Sequence, residues 1–416
     1  MRRRWLLWTA ATLCAALVAV VVVLVTVPNA LKVASRLFGH GSTSTSQPPE
    51  PVAGADLSGT GPGTLISAMT MPAITQSWEG SDLRAARVVY RSTSGDTGEP
   101  TVVSGSVFTP LGDPPEGGWP VVALGHGSTG IDEPCAPSLS GSLLSHLNWV
   151  SRFVEKGYAV TLADFQGLGM PGIHPYTDGT TAGLNIIDSV RALRHTFPGV
   201  SEKWAAFGGS QGAGAVWGAD EQAASYAPEL DLVGVVAASP AADVSGLVEK
   251  SEAGTLTAKQ GPAYQWIIES LARLHPDLNR DDYRRGGAAK YWDALSACSG
   301  AIMHDRPAAM AALGPNDLAP ATPEAAARMQ QLLQKWALPQ KRLSAPLSVV
   351  YGGEDLYIDP EWTTDAISRA CGLGGTVVWQ FEPNKGHSDV SISEQLGWIA
   401  DRFAGKPLAN QCPKEN

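Results

Sequence analysis

Residues 204–219 read WAAFGGSQGAGAVWGA. A short apolar run, Trp204 to Phe207, stops at two glycines. A serine follows, and then a stretch of small residues with helical character. Strand, tight turn and helix are implied in that order. Gly208-Gly209-Ser210-Gln211-Gly212 matches G-x-S-x-G, in which glycines permit a strained turn and close helix packing. In a chain with 45 glycines the pentapeptide alone is weak. Its flanks give it weight, because a serine on such a turn is held out from the end of a sheet.

Apolar runs alternate with helical stretches on both sides of this turn. The runs are Pro120 to Leu124, Tyr158 to Ala163, Leu232 to Ala238, Leu347 to Tyr351 and Thr376 to Phe381. Arg87 to Ser92 and Thr101 to Thr109 read as paired strands before them. Helices are expected over 143–156, 184–197 and 394–403. In the second, Ile186, Ile187, Val190, Leu193 and Phe197 share one face at helical spacing. Such alternation predicts an α/β fold with a mainly parallel sheet covered on both faces. It breaks over 243–342, which is Ala- and Gln-rich and helical in pattern. The expected organisation is a core over 63–242 and 343–416, with a helical cap inserted over 243–342.

A serine hydroxyl needs a base, and the base needs an acid to orient it. In this architecture the order is serine, acid, histidine. Only His275, His304 and His387 follow Ser210, and the first two fall in the helical insertion. His387 follows the last apolar run, where a loop would hold it. The acid should end the preceding strand, which makes Asp355 the choice. Glu354 and Asp359 are rivals whose structural reading is turn or helix-cap carboxylate. A developing oxyanion needs donors. One is the backbone N–H of Gln211, after the nucleophile. The other could come from the loop Gly125-His126-Gly127, or from Asp164 at the end of Tyr158 to Ala163. Asp164 could donate only if protonated. Read without any relative, it is a strand-end residue.

Further motifs accompany the turn. They are Cys135-Ala136-Pro137-Ser138, Ala163-Asp164-Phe165-Gln166-Gly167-Leu168-Gly169, His174-Pro175-Tyr176 and Asp188-Ser189-Val190-Arg191-Ala192-Leu193. With them the sequence resembles the secretory lipase family of α/β-hydrolases, with its fungal lipase A type and actinobacterial members. The likeness runs from about Gly63 to Cys412. It implies a Ser210–Asp355–His387 triad, a helical cap shaping an acyl pocket, and action on carboxylic esters and acylglycerols. It implies Asp164 as a side-chain oxyanion donor beside the Gln211 N–H, and disulfides Cys135–Cys298 and Cys371–Cys412. The fungal members lack the His126-Gly127 pair, whereas this chain carries both Gly127 and Asp164.

Composition narrows the remaining classes. Charged residues are 17%, and acids outnumber Lys and Arg by 40 to 30. An acidic body without a basic stripe argues against a nucleic-acid partner. Trp5 to Val27 carries no charge and follows three arginines. As a helix it would span roughly 34 Å, enough to cross a bilayer. Residues 1–34 are read as a signal anchor or signal peptide, and 35–62, rich in Ser, Thr, Pro and Gly, as a flexible linker. The body is therefore expected outside the cytoplasm, membrane-anchored or secreted, where its four remaining cysteines would form two disulfides. No metal-ligand spacing is present, and no cofactor is expected. The expected function is an exported serine lipase or esterase acting on acyl esters. An acyltransferase with the same residues, a serine peptidase and a non-catalytic binding module on the same fold are the alternatives.

Overall fold

The computed structural model describes residues Gln47–Pro413. The anchor or signal segment, 1–34, lies outside the described residues. Among the described residues no helix is long and apolar enough to cross a membrane.

Among the described residues nine strands form one sheet in the order β1-β2-β3-β5-β4-β6-β7-β8-β9. They are β1 (Leu65–Thr70), β2 (Leu83–Thr93), β3 (Pro100–Pro110), β4 (Trp119–Gly125), β5 (Ala159–Ala163), β6 (Val200–Gly209), β7 (Asp231–Ala238), β8 (Leu347–Gly352) and β9 (Val377–Glu382). The first three and their junction with β5 are antiparallel. Every pairing from β5 through β4 to β9 is parallel. This is the mainly parallel α/β sheet expected from the alternation, and it agrees with the α/β-hydrolase fold that the resemblance implies. The apolar runs were strand centres. The strand missed was β1, LISAMT, whose side chains bury without a clean alternation.

Side chains of successive strand residues leave opposite faces, and two layers of core follow. Val121, Ala123 and Ala206 pack under α2 (Gly179–Thr196) and α3 (Gln211–Tyr226). Val122, Leu124 and Phe207 pack under α1 (Leu147–Val154) and Ile399 of the C-terminal helix Ser393–Phe403. Helix α1 starts later than expected, because Leu143, Leu144 and Ser145 hold left-handed φ values of 51°, 50° and 76°.

Between β7 and β8 the chain forms helices and turns only. The longest are α4 (Gln260–Leu274) and α5 (Pro323–Trp336), which share an apolar cluster around Tyr264, Ile267, Met329 and Trp336. Helix α6 (Pro360–Gly372) follows β8. Both expected disulfides form. Cys135–Cys298 ties the loop after β4 to the helical segment, and Cys371–Cys412 ties α6 to the C-terminal tail. One expectation needs correction: Glu50–Asp56 is not loose linker. Pro51 bridges Met69, the Val52 N–H donates to Ala68 O, and the Asp56 N–H donates to His195 O. Unpaired groups on the edge strand β1 give this proline-rich strap its partners.

Candidate active site

Strand β6 ends at Gly209 and α3 begins at Gln211, so Ser210 forms the whole turn. Its backbone sits at φ 57°, ψ −121°, a conformation L-residues avoid. The turn closes because Gly208 and Gly212 lack side chains. A Cβ on Gly208 would lie 2.2 Å from Gly212 O, and one on Gly212 would lie 2.1 Å from Gly125 O. The Ser210 N–H donates to Ala238 O at 2.9 Å, and its carbonyl accepts from Ala241. The strained turn is thereby held from both sides.

The loop after β8 presents Asp355, and the loop after β9 presents His387. The His387 ring donates from Nδ1 to Asp355 Oδ2 at 2.7 Å. Asp355 Oδ1 accepts from the N–H groups of Tyr357 and Ile358 at 2.8 and 3.0 Å. The carboxylate is thus fixed by its own loop and fixes the imidazole tautomer, leaving Nε2 with its lone pair. Ser239 Oγ donates to His387 O at 2.9 Å, and the Tyr357 ring packs 4.7 Å from the imidazole. The rival acids are elsewhere engaged. Asp359 accepts from Lys250 Nζ at 2.7 Å and from Gln260 Nε2 at 2.7 Å. Among the described residues Glu354 makes no ion pair or side-chain hydrogen bond with His387.

Ser210 and His387 both line two chambers. One, of about 270 Å³, lies under the helical segment. The other, of about 230 Å³, lies between the loop after β4, α1 and the loop after His387. The Ser210 hydroxyl makes no hydrogen bond among the described residues. Catalytic contacts of this kind commonly tighten only around a bound substrate.

The two candidates for the second oxyanion donor are treated differently by the fold. Gly127 lines the smaller chamber, and a Cβ there would lie 3.9 Å from Ser210 Cβ. The Gln211 amide opens α3 and has no partner within the helix. Asp164 lines neither chamber. Its Oδ1 accepts from the Ser138 N–H at 2.8 Å and its Oδ2 from Ser104 Oγ at 2.6 Å and Ser138 Oγ. Burial raises this carboxyl above the usual carboxylate range, against the pull of the Ser104 and Ser138 hydrogen bonds and the Arg87 charge. The side-chain donor role implied by the resemblance therefore meets a carboxyl already spent on a buried network. Asp164 still touches the site through its backbone. Its carbonyl lies 3.1 Å from His126 Nε2, and His126 Nδ1 lies 2.7 Å from Gly127 O. Burial lowers His126 to about 3, so the ring is neutral.

His174, quoted in the sequence only as part of a motif, aligns Gln211. Its Nδ1–H donates to Gln166 O at 2.9 Å, and its Nε2 accepts from Gln211 Nε2 at 2.8 Å. Burial lowers it to about 4 and keeps the accepting nitrogen unprotonated. No sequence signal marked Ser239 at His387, or Tyr357, Lys259, Arg306 and Trp266 in the chamber with Ser210, because the segments carrying them meet only in the fold.

The profile of the secretory lipase family matches residues 142–411. The chain belongs to the secretory lipase family. A Mycobacterium tuberculosis protein described as a probable inactive lipase is 26% identical over 84% of this chain and 80% of its own length. Lipase 6 of Candida albicans is 24% identical over 67% of this chain and 64% of its own. Among solved structures, Candida antarctica lipase A in its closed state superposes with a TM-score of 0.68 at 19% identity, covering 84% of each chain. The rice cell wall degrading esterase LipA of Xanthomonas oryzae gives 0.64 at 19%, covering 83% of this chain and 98% of that one. At these identities the structural likeness establishes the fold. Membership of a secretory lipase family supports a hydrolase of ester bonds.

Proposed function

We propose that the protein is an exported serine carboxylester hydrolase, a lipase or esterase, working through an acyl-enzyme. The observation that carries this reading is Ser210, a strained non-glycine residue on the strand–helix turn, sharing two chambers with His387. In the reaction His387 Nε2 takes the Ser210 proton as Oγ attacks the ester carbonyl. The oxyanion forms against the amides of Gln211 and Gly127. Asp355 stabilises the imidazolium, which then protonates the leaving alcohol. Water, activated by the same histidine, splits the acyl-enzyme. The helical segment 243–342 acts as a cap over the larger chamber. Export agrees with the two disulfides and with the family's name. The mycobacterial relative's description as inactive makes a direct assay necessary.

The test is hydrolysis of nitrophenyl esters of increasing acyl length by the full chain and its Ser210→Ala variant. Loss of a triad nucleophile costs on the order of 10⁶ in turnover. An active wild type with a dead variant is expected. A folded wild type no more active than the variant on every ester overturns the proposal and leaves a binding module on a hydrolase fold.

A further inference from the structure

The two chambers at Ser210 differ in chemistry, and an ester bond at Ser210 has two arms to place. The smaller chamber is walled by Leu124, Trp149, Phe207, Val390 and Ile392. It suits a hydrocarbon arm. The larger chamber is walled partly by Trp266 and Ile267, but Lys259 and Arg306 line it too, and no Asp or Glu does. This absence stands out in a chain where acids outnumber bases by 40 to 30.

Among the described residues neither cation has a carboxylate partner. Arg306 stacks over Trp266 at 4.3 Å and donates from Nη1 to Leu295 O and Ala297 O. Its Nε and Nη2 make no hydrogen bond among the described residues. Lys259 lies over the Tyr357 ring at 5.8 Å and has no carboxylate partner there. The neighbouring Lys250, outside the chamber, is paired with Asp359 at 2.7 Å. Two residues that line the same chamber also carry unpartnered polar atoms: Thr177 Oγ1 and Gln211 Oε1 are buried without a hydrogen bond. Holding a partly buried guanidinium without a counter-ion costs desolvation free energy. An anion brought in by a ligand would recover it through charge-assisted hydrogen bonds.

We propose that the enzyme's preferred ester carries an anionic group, a phosphate or a carboxylate, on its alcohol arm, bound between Lys259 and Arg306 while the acyl chain fills the apolar chamber. This deepens the ester-hydrolase reading and rests on it. The experiment compares three octanoate esters, of 1-propanol, of 3-hydroxypropyl phosphate and of 3-hydroxypropanoate, on wild type, Lys259→Gln and Arg306→Gln. A charge-assisted contact predicts about a tenfold higher kcat/KM on an anionic ester than on the neutral one, mainly through KM. The phosphate and carboxylate arms decide which anion is favoured. Each variant should shrink the anionic-to-neutral ratio several-fold, and high salt should shrink it in wild type. Lys259 is exposed, so its variant keeps the test valid if Arg306→Gln fails to fold. Equal turnover of neutral and anionic esters, or a preference that both variants retain, overturns the inference and leaves the hydrolase reading intact. No turnover of any ester by wild type removes the hydrolase reading and this inference with it.

Discussion

His387 and Asp355, 32 residues apart in sequence, meet through a 2.7 Å hydrogen bond from Nδ1 to Oδ2. The bond fixes which imidazole nitrogen is free to accept a proton. Asp355→Asn would keep the shape but place an amide where an acceptor is needed. Turnover of a nitrophenyl ester should fall about 10⁴-fold. Asp359→Asn, which breaks the Lys250 pair instead, should leave turnover within a few-fold. The reverse ranking would reassign the acid.

Asp164 gives a second contrast. Its carboxylate is enclosed by Ser104 and Ser138 and lines neither chamber. Asp164→Asn should lower the melting temperature by a few degrees, since leaving a buried hydrogen-bonding group mispaired costs about 1–3 kcal/mol. Turnover of the folded variant should stay within several-fold. A loss of 10²–10³ at unchanged melting temperature is the size expected for a missing oxyanion donor, and would restore the side-chain role.

The Cys135–Cys298 bridge closes a long loop between the β4 loop and the helical segment. Gly130, at φ 144°, packs so tightly on it that a Cβ would lie 2.3 Å from Cys135 Sγ. Cys298→Ser should cost about 2–5 kcal/mol of stability. Because the same loop carries Gly127, turnover should fall before global unfolding as temperature is raised. Parallel thermal curves of activity and circular dichroism check this, and coincident curves would disprove the coupling.

Asp220 and Glu221 of α3 hold the chain entering β8. Asp220 Oδ1 accepts from the N–H groups of Ser344 and Ala345 at 2.9 and 2.8 Å, while Oδ2 is buried without a partner. Burial pushes Asp220 up to about 8 and Glu221 up to about 7. A folded-state value above the unfolded value of 3.8 means that protonation favours the fold. The contribution is full below the unfolded value and disappears as pH rises through about 8. Asp220→Asn keeps an acceptor for both amides and removes the titration. Its melting temperature relative to wild type should therefore rise between pH 4 and pH 8. A difference independent of pH would contradict the protonated state.

Much of the site was legible because local rules dictate it. Gly208 and Gly212 are required by a turn in which a Cβ cannot fit at either position, and the order of Ser210, Asp355 and His387 follows from a parallel sheet wound in one direction. Ser210's flanks carried the motif better than its five letters did. Other features had no local signal. The β1 strand lacks alternation, and the Glu50–Asp56 strap looks like linker until an edge strand offers it partners. Asp355 was separated from Glu354 and Asp359 only by where each carboxylate lands.

By itself, the sequence determined a parallel α/β sheet, a serine on a strained turn, a histidine in the last loop and a helical insertion. These follow from short-range periodicity and from glycine's freedom at φ and at close approach. Only the tertiary structure decided that Gly127 lines a chamber with Ser210 while Asp164 lines neither, and that Lys259 and Arg306 share a chamber whose lining holds no acid. Such relations join segments more than 40 residues apart. Their free energy comes from burial and from the pairing of charges, which depend on packing in space and leave no period in the chain.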